Sequence, residues 1–189
     1  MPNLETMFAA FRNANNLVSF ASDVPKLHYQ YDSFNSCDKL NTFIAETPIL
    51  SDGQRMFYGC SSLDTFIGDL SSLEYGLDMF SGTNLSEESV ENIADTIKHV
   101  ENPGIISIIW IGDATTVTDN TVKSLCRIVD KGWELQTNDS VRDLIIASNP
   151  EKYQETNTSV ELKPSAQTYG MRGNTEPIMK EIRVVCLKK

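Results

Sequence analysis

The chain has 189 residues, 40% of them apolar, enough to enclose a core within one domain or one domain with an appendage. Its 26 acidic residues against 16 basic give a net charge of −10, which argues against a phosphate backbone or an anionic membrane as the main partner. No run approaches the roughly 18 to 20 apolar residues that cross a bilayer, and the start, MPNLETMFAAFRNANN, lacks the pattern of a secretory signal.

From the N-terminus the chain repeats itself. Phe11, Phe34, Phe57 and Phe80 recur every 23 residues, and three positions after each stand Ala14, Cys37, Cys60 and Thr83. Leu17, Leu40 and Leu63 keep the same interval, as do Phe20, Phe43 and Phe66, the acids Asp23, Glu46 and Asp69, and Leu4, Leu27, Leu50 and Leu73. The fourth copy slips by one residue at Leu85. Such a period is explained when each copy is one turn of chain whose apolar side is buried only by the next turn. Phe34, Leu40, Phe43, Phe57, Leu63 and Phe66 are then expected to face inward. The first turn needs a cover, either a short helix through Met7, Phe8 and Phe11 or another chain.

Beyond the fourth copy the pattern changes. Ser86 is an N-cap, Glu87 and Glu88 suit a helix N-terminus, and Val90, Ile93, Ala94 and Ile97 make one face before Pro103. Ile105 to Ile111 is an apolar run interrupted only by Ser107, as in a strand covered on both faces. A second cycle follows, with Thr118 or Asp119 as cap, Val122, Leu125, Cys126 and Val129 inward, Gly132 as stop and Trp133 to Gln136 as strand. Residues 139 to 189 hold 7 acids and 8 bases, so the negative excess lies in the part before them, and a boundary is placed near 139. Within this tail Val160 to Leu162 and Ile178 to Leu187 read as strands. Ile182, Val184, Val185 and Leu187 are too apolar for a free strand and are expected to dock on a partner, or to form a hairpin with Val160 to Leu162.

Candidate chemistry is sparse. Cys37 and Cys60 share a slot in adjacent turns, which allows a disulfide or a buried ladder of free thiols. Asp23, Glu46 and Asp69 would stack as like charges, screened either by water at a solvated edge or by a calcium ion. Exposed rows Ser19, Thr42, Thr65 and Ala21, Ile44, Ile67 would lie on the strand face, where a ligand could bind. His28 and His99 stand alone, and no phosphate loop, nucleophile elbow or metal-binding pair appears. No catalytic residue, metal or cofactor is assigned, and the expectation is a protein that is not an enzyme.

FNSCDKLNTF and MFYGCSSLDTF resemble the core of BspA-like (Treponema-type) leucine-rich repeats, over about residues 4 to 85, with Phe20, Phe43 and Phe66 where that family often has Ile or Leu. KGWEL is similar to the last turns of such proteins. The resemblance implies an α/β chain: a right-handed leucine-rich-repeat solenoid over 1–138, of short 23-residue turns and then two helix–strand turns, with a C-terminal extended β/irregular arm over 139–189. It further implies a non-enzymatic structural or binding protein, either virion-associated in a phage of gut bacteria or a fragment of a bacterial cell-surface adhesin. The partners would be proteins, other virion subunits or a cell-surface receptor, with no nucleic acid and no membrane.

Overall fold

The 23-residue interval becomes strand register. In the computed structural model, which describes residues 1–101, 104–108, 117–159 and 180–186, strands β1 (Ser19–Ala21), β2 (Thr42–Ala45) and β3 (Thr65–Gly68) form a parallel sheet in that order. Phe20 lies beside Phe43 and Phe43 beside Phe66. On the opposite side of each turn the chain runs as consecutive tight turns. Alternate N–H groups reach the next turn: those of Met7, Ala9, Phe11 and Asn13 donate to the carbonyls of Tyr29, Tyr31, Ser33 and Asn35. Gln30, Asp32, Phe34 and Ser36 repeat this onto Asp52, Gln54, Met56 and Tyr58. The N–H groups between them close turns within the same copy, as Ser33 to Gln30 and Asn35 to Asp32.

Between these two walls lies the aromatic core. Phe11, Phe34, Phe57 and Phe80 stack with successive centroid distances of 5.2, 5.6 and 5.6 Å, and Phe20, Phe43 and Phe66 form a parallel column at 5.4 and 5.7 Å. The columns meet edge to face, Phe43 on Phe57 at 4.9 Å, a geometry that adds to the gain from burial alone. Phe34, Leu40, Phe43, Phe57, Leu63 and Phe66 are all buried.

A single leucine-rich-repeat solenoid over 1–138 does not form. The strands divide into two sheets, the parallel one ending at β3 and a five-stranded mixed one of order β4 (Gly76–Phe80), β5 (Gly104–Ile108), β6 (Trp133–Gln136), β8 (Lys180–Cys186) and β7 (Tyr153–Ser159). The second sheet starts on the wall opposite β1–β3: Tyr75, just before β4, bridges Asp52, and the N–H groups of Gly53, Arg55 and Phe57 donate to the carbonyls of Tyr75, Leu77 and Met79. Where a strand would extend the first sheet, Ser86 caps helix α1 (Glu87–Thr96), its side chain accepting from the Ser89 N–H. The helix then takes the edge of β3: the N–H of Phe66 donates to Ser89 Oγ at 2.8 Å and that of Gly68 to Asn92 Oδ1 at 3.0 Å, while Ser89 Oγ donates to the Asp64 carbonyl at 2.7 Å. Side chains thus satisfy buried strand groups that another strand would otherwise pair.

In the second sheet β4 (Gly76–Phe80), β5 (Gly104–Ile108) and β6 (Trp133–Gln136) are parallel. Helix α2 (Asp119–Asp130), capped by Thr118, buries Leu125, Cys126, Ile128 and Val129. Gly132, at φ 94°, ends it where an added Cβ would lie 2.2 Å from the Val100 carbonyl oxygen. Lys131 fastens the two helices, its ammonium donating to the carbonyls of Ala94, Asp95 and Ile97 at the end of α1; burial, with Arg127 adding to it, lowers its pKa.

Two expectations at the chain ends are corrected. Residues 4–11 form no helical cap; Met7 is buried because this segment is itself laddered onto the next turn, and Phe8 stacks on Tyr31 at 5.5 Å. At the other end, helix α3 (Asp139–Ser148) buries Val141 and Ile145, and β8 (Lys180–Cys186) inserts between β6 and β7 (Tyr153–Ser159), antiparallel to both. Val184, expected in a docking strand, is instead an inside residue opposite Leu135. Helix α3 escaped the sequence reading because its cap, Asn138, and its polar residues blend into the tail.

Candidate binding face

Alternation along the first sheet decides which side chains look outward. In β2 and the residue after it, Phe43 and Ala45 are buried whereas Ile44 and Glu46 are exposed; β3 repeats this with Phe66 and Gly68 inside and Ile67 outside. Since the strands pair at 23 residues, the outward residues line up in rows. Ser19, Thr42 and Thr65 make a hydroxyl row, Ala21, Ile44 and Ile67 an apolar row, and Asp23, Glu46 and Asp69 continue as an acidic row. Ile44 is 45% exposed and Ile67 39%, and Val18, 58% exposed, flanks the face at β1. Large aliphatic groups left open on a sheet backed by a column of stacked rings, Phe20, Phe43 and Phe66, form an apolar strip.

The neighbouring rows set its electrostatics. Thr42 Oγ1 donates to Asn41 Oδ1 at 3.0 Å and Thr65 Oγ1 to Asp64 Oδ2 at 3.1 Å, which leaves oxygen lone pairs on the outward side. Asp69 Oδ1 accepts the Ser71 N–H at 2.8 Å. Among the described residues Asp23, Glu46 and Asp69 take part in no ion pair, and no group of three or more His, Cys, Asp or Glu could hold a metal ion. Asp23 and Glu46 are exposed and Asp69 is half-buried.

The remaining sequence candidates are placed elsewhere. Cys37 and Cys60 are buried free thiols whose Sγ atoms donate to the carbonyls of Phe11 and Phe34, at 2.9 and 3.0 Å. The neighbouring Cys37 thiol, reinforced by burial, pushes the Cys60 thiol up. His28 and His99 are exposed on loops. Of the residues assigned to docking, Ile182 and Val185 pair with Asn157 and Gln154 along β7, and Leu187 lies outside the described residues, as do Val160 to Leu162.

Two polar clusters went unforeseen. Asp32 is buried, receives Asn35 Nδ2 at 2.7 Å, and pairs with Arg12 at 3.3 Å and with Arg55 Nε at 3.4 Å, the last a charge contact rather than an aligned hydrogen bond. Its slot holds Ala9, Asp32, Arg55 and Asp78 at the same 23-residue interval, so the register carries the signal although the residue type changes from copy to copy. At the joint of α2 and β7, buried Tyr153 donates to Asp130 at 3.0 Å, and Lys152 also holds Asp130. Burial, then Asp130, pushes the tyrosine hydroxyl well above its ordinary range. Both clusters are structural joints at which opposite charges meet.

No family model, curated protein or solved structure matches this chain.

Proposed function

We propose that this chain is a non-enzymatic structural and binding protein that docks on a protein partner through the outward face of β1–β3. The observation that carries the reading is the apolar row. Ala21, Ile44 and Ile67 stand in strand register on a rigid sheet, and two of the three are large aliphatic residues open to water. Burying such a strip recovers roughly 25 cal/mol for each Å² of apolar area, without a cost for ordering the face. The sequence resemblance suggests a setting as a subunit that decorates or joins parts of a phage virion.

Carbene footprinting of the free chain and of the chain within purified particles tests both claims. Labelling of Ile44 and Ile67 is expected to fall several-fold in the particle, and the Ile44→Ser/Ile67→Ser variant is expected to fold normally but to be incorporated poorly. Equal labelling in the two states, or normal incorporation of the variant, overturns the proposal.

A further inference from the structure

Resting on the reading of β1–β3 as a docking face, we propose that its occupant is a short basic segment of a partner protein, extended, with Lys or Arg beside aliphatic residues. The shape of the face sets the length. Three strands about 4.8 Å apart, each presenting outward residues about 6.6 Å apart, make a patch that four or five extended residues cover. A longer apolar surface, such as a helix face, would run past Val18 and the hydroxyl row onto the exposed polar residues Asn41 and Asp64.

Charge and hydrogen-bonding capacity set the chemistry. On one side of the apolar row stand the carboxylates of Asp23, Glu46 and Asp69, about one strand spacing apart and without an ion pair among the described residues. The N-terminal ammonium, held at 2.9 Å on the Asp23 carbonyl, is a positive group near one end of this row. On the other side, Thr42 and Thr65 have committed their hydroxyl protons to Asn41 and Asp64, so they offer acceptors outward, and the Asp64 carboxylate adds a further negative charge. Both flanks therefore ask for donors and cations, while the middle asks for hydrocarbon. A lysine or arginine side chain meets both demands, its methylene stem lying over Ile44 and Ile67 and its head reaching a flank. The net charge of −10 draws the same kind of partner from a distance and disfavours nucleic acid and anionic lipid.

The test uses the full chain and two synthetic peptides that share a Leu/Val pattern and differ only in carrying Lys or Glu at alternate positions. Binding is followed by fluorescence anisotropy at about 20 mM and at about 500 mM salt, where the screening length falls from roughly 20 Å to a few Å. The Lys peptide is expected to bind at least about tenfold tighter than the Glu peptide at low salt. This preference should disappear at high salt, in Asp23→Asn/Glu46→Gln/Asp69→Asn and, with the affinity itself, in Ile44→Ser/Ile67→Ser. Circular dichroism checks that each variant is folded. Equal binding of the two peptides that still requires Ile44 and Ile67 overturns the basic partner and leaves the docking face standing. Binding that ignores the isoleucines, or none at all, overturns both.

Discussion

Ala9, Asp32, Arg55 and Asp78 have positive φ between 47° and 55°, and Asn13, Ser36, Gly59 and Gly82 have φ between 58° and 75°. Each set keeps the 23-residue interval, so every turn bends through the left-handed region at the same two places, and only two of the eight positions are glycine. A residue with a Cβ pays about 1 to 2 kcal/mol there. Ala9→Gly removes that strain without deleting any side-chain hydrogen bond, and after the extra chain entropy of glycine it is expected to stabilise the protein by about 0.5 to 1 kcal/mol. The reverse change, Gly59→Ala, is expected to cost about 1 to 2 kcal/mol through backbone strain alone, since the new methyl would lie 3.7 Å from its nearest neighbour, Ser36 Oγ. Urea denaturation of the two variants checks both signs; destabilisation by Ala9→Gly would refute the strain argument.

Elements are joined here by side chains acting as substitutes for backbone. Because Ser89 and Asn92 receive the N–H groups of Phe66 and Gly68, Ser89→Ala/Asn92→Ala is expected to cost about 2 kcal/mol by leaving strand donors unsatisfied. Native-state hydrogen exchange should show Phe66 and Gly68 losing protection while Phe43, deeper in the sheet, keeps it; uniform loss would mean that the helix does not cap this edge. The start of α2 is tied to α1 by Glu87, whose carboxylate accepts from Thr118 Oγ1 and from Asn120 Nδ2 at 3.2 Å. These bonds, that of Thr118 first, hold the Glu87 pKa below its ordinary value. A carboxylate depressed on folding adds stability that is complete above its unfolded pKa and is lost as pH falls through the folded one. Glu87→Gln is thus expected to flatten the acid-side decline in melting temperature below the ordinary glutamate range and to leave the alkaline side unchanged. A decline as steep as in the parent chain would exclude this contribution.

At the scale of the molecule, the C-terminal strand is a structural member of the second sheet. Val184 is fully buried opposite Leu135 of β6 and pairs with Glu155 of β7. Val184→Asp is expected to cost about 3 kcal/mol or more, because an unpaired carboxylate enters an apolar site, and to lower the melting temperature. Gln154→Asp, at an exposed position of the flanking strand β7, serves as its comparison and is expected to cost less. Equal and small effects of the two would show that β8 is not held in the sheet in solution.

The sequence by itself determined what depends on near neighbours and on repetition. The 23-residue interval appears in the structure as the pairing of β1, β2 and β3, the inward Phe and Leu slots, and the outward rows 19/42/65 and 21/44/67. Ser86, Thr118 and Gly132 marked helix ends through capping chemistry that acts within a few residues. Tertiary structure alone decided where the first sheet stops, since nothing local distinguishes a helix packed on β3 from one that leads to another strand on it. It also decided that β8 pairs with β6 and β7, because antiparallel insertion of a strand some 50 residues along the chain leaves no periodicity to read. Strand pairing rewards any edge that is apolar and near, and which edge is near is settled only when α1, α2 and α3 have packed.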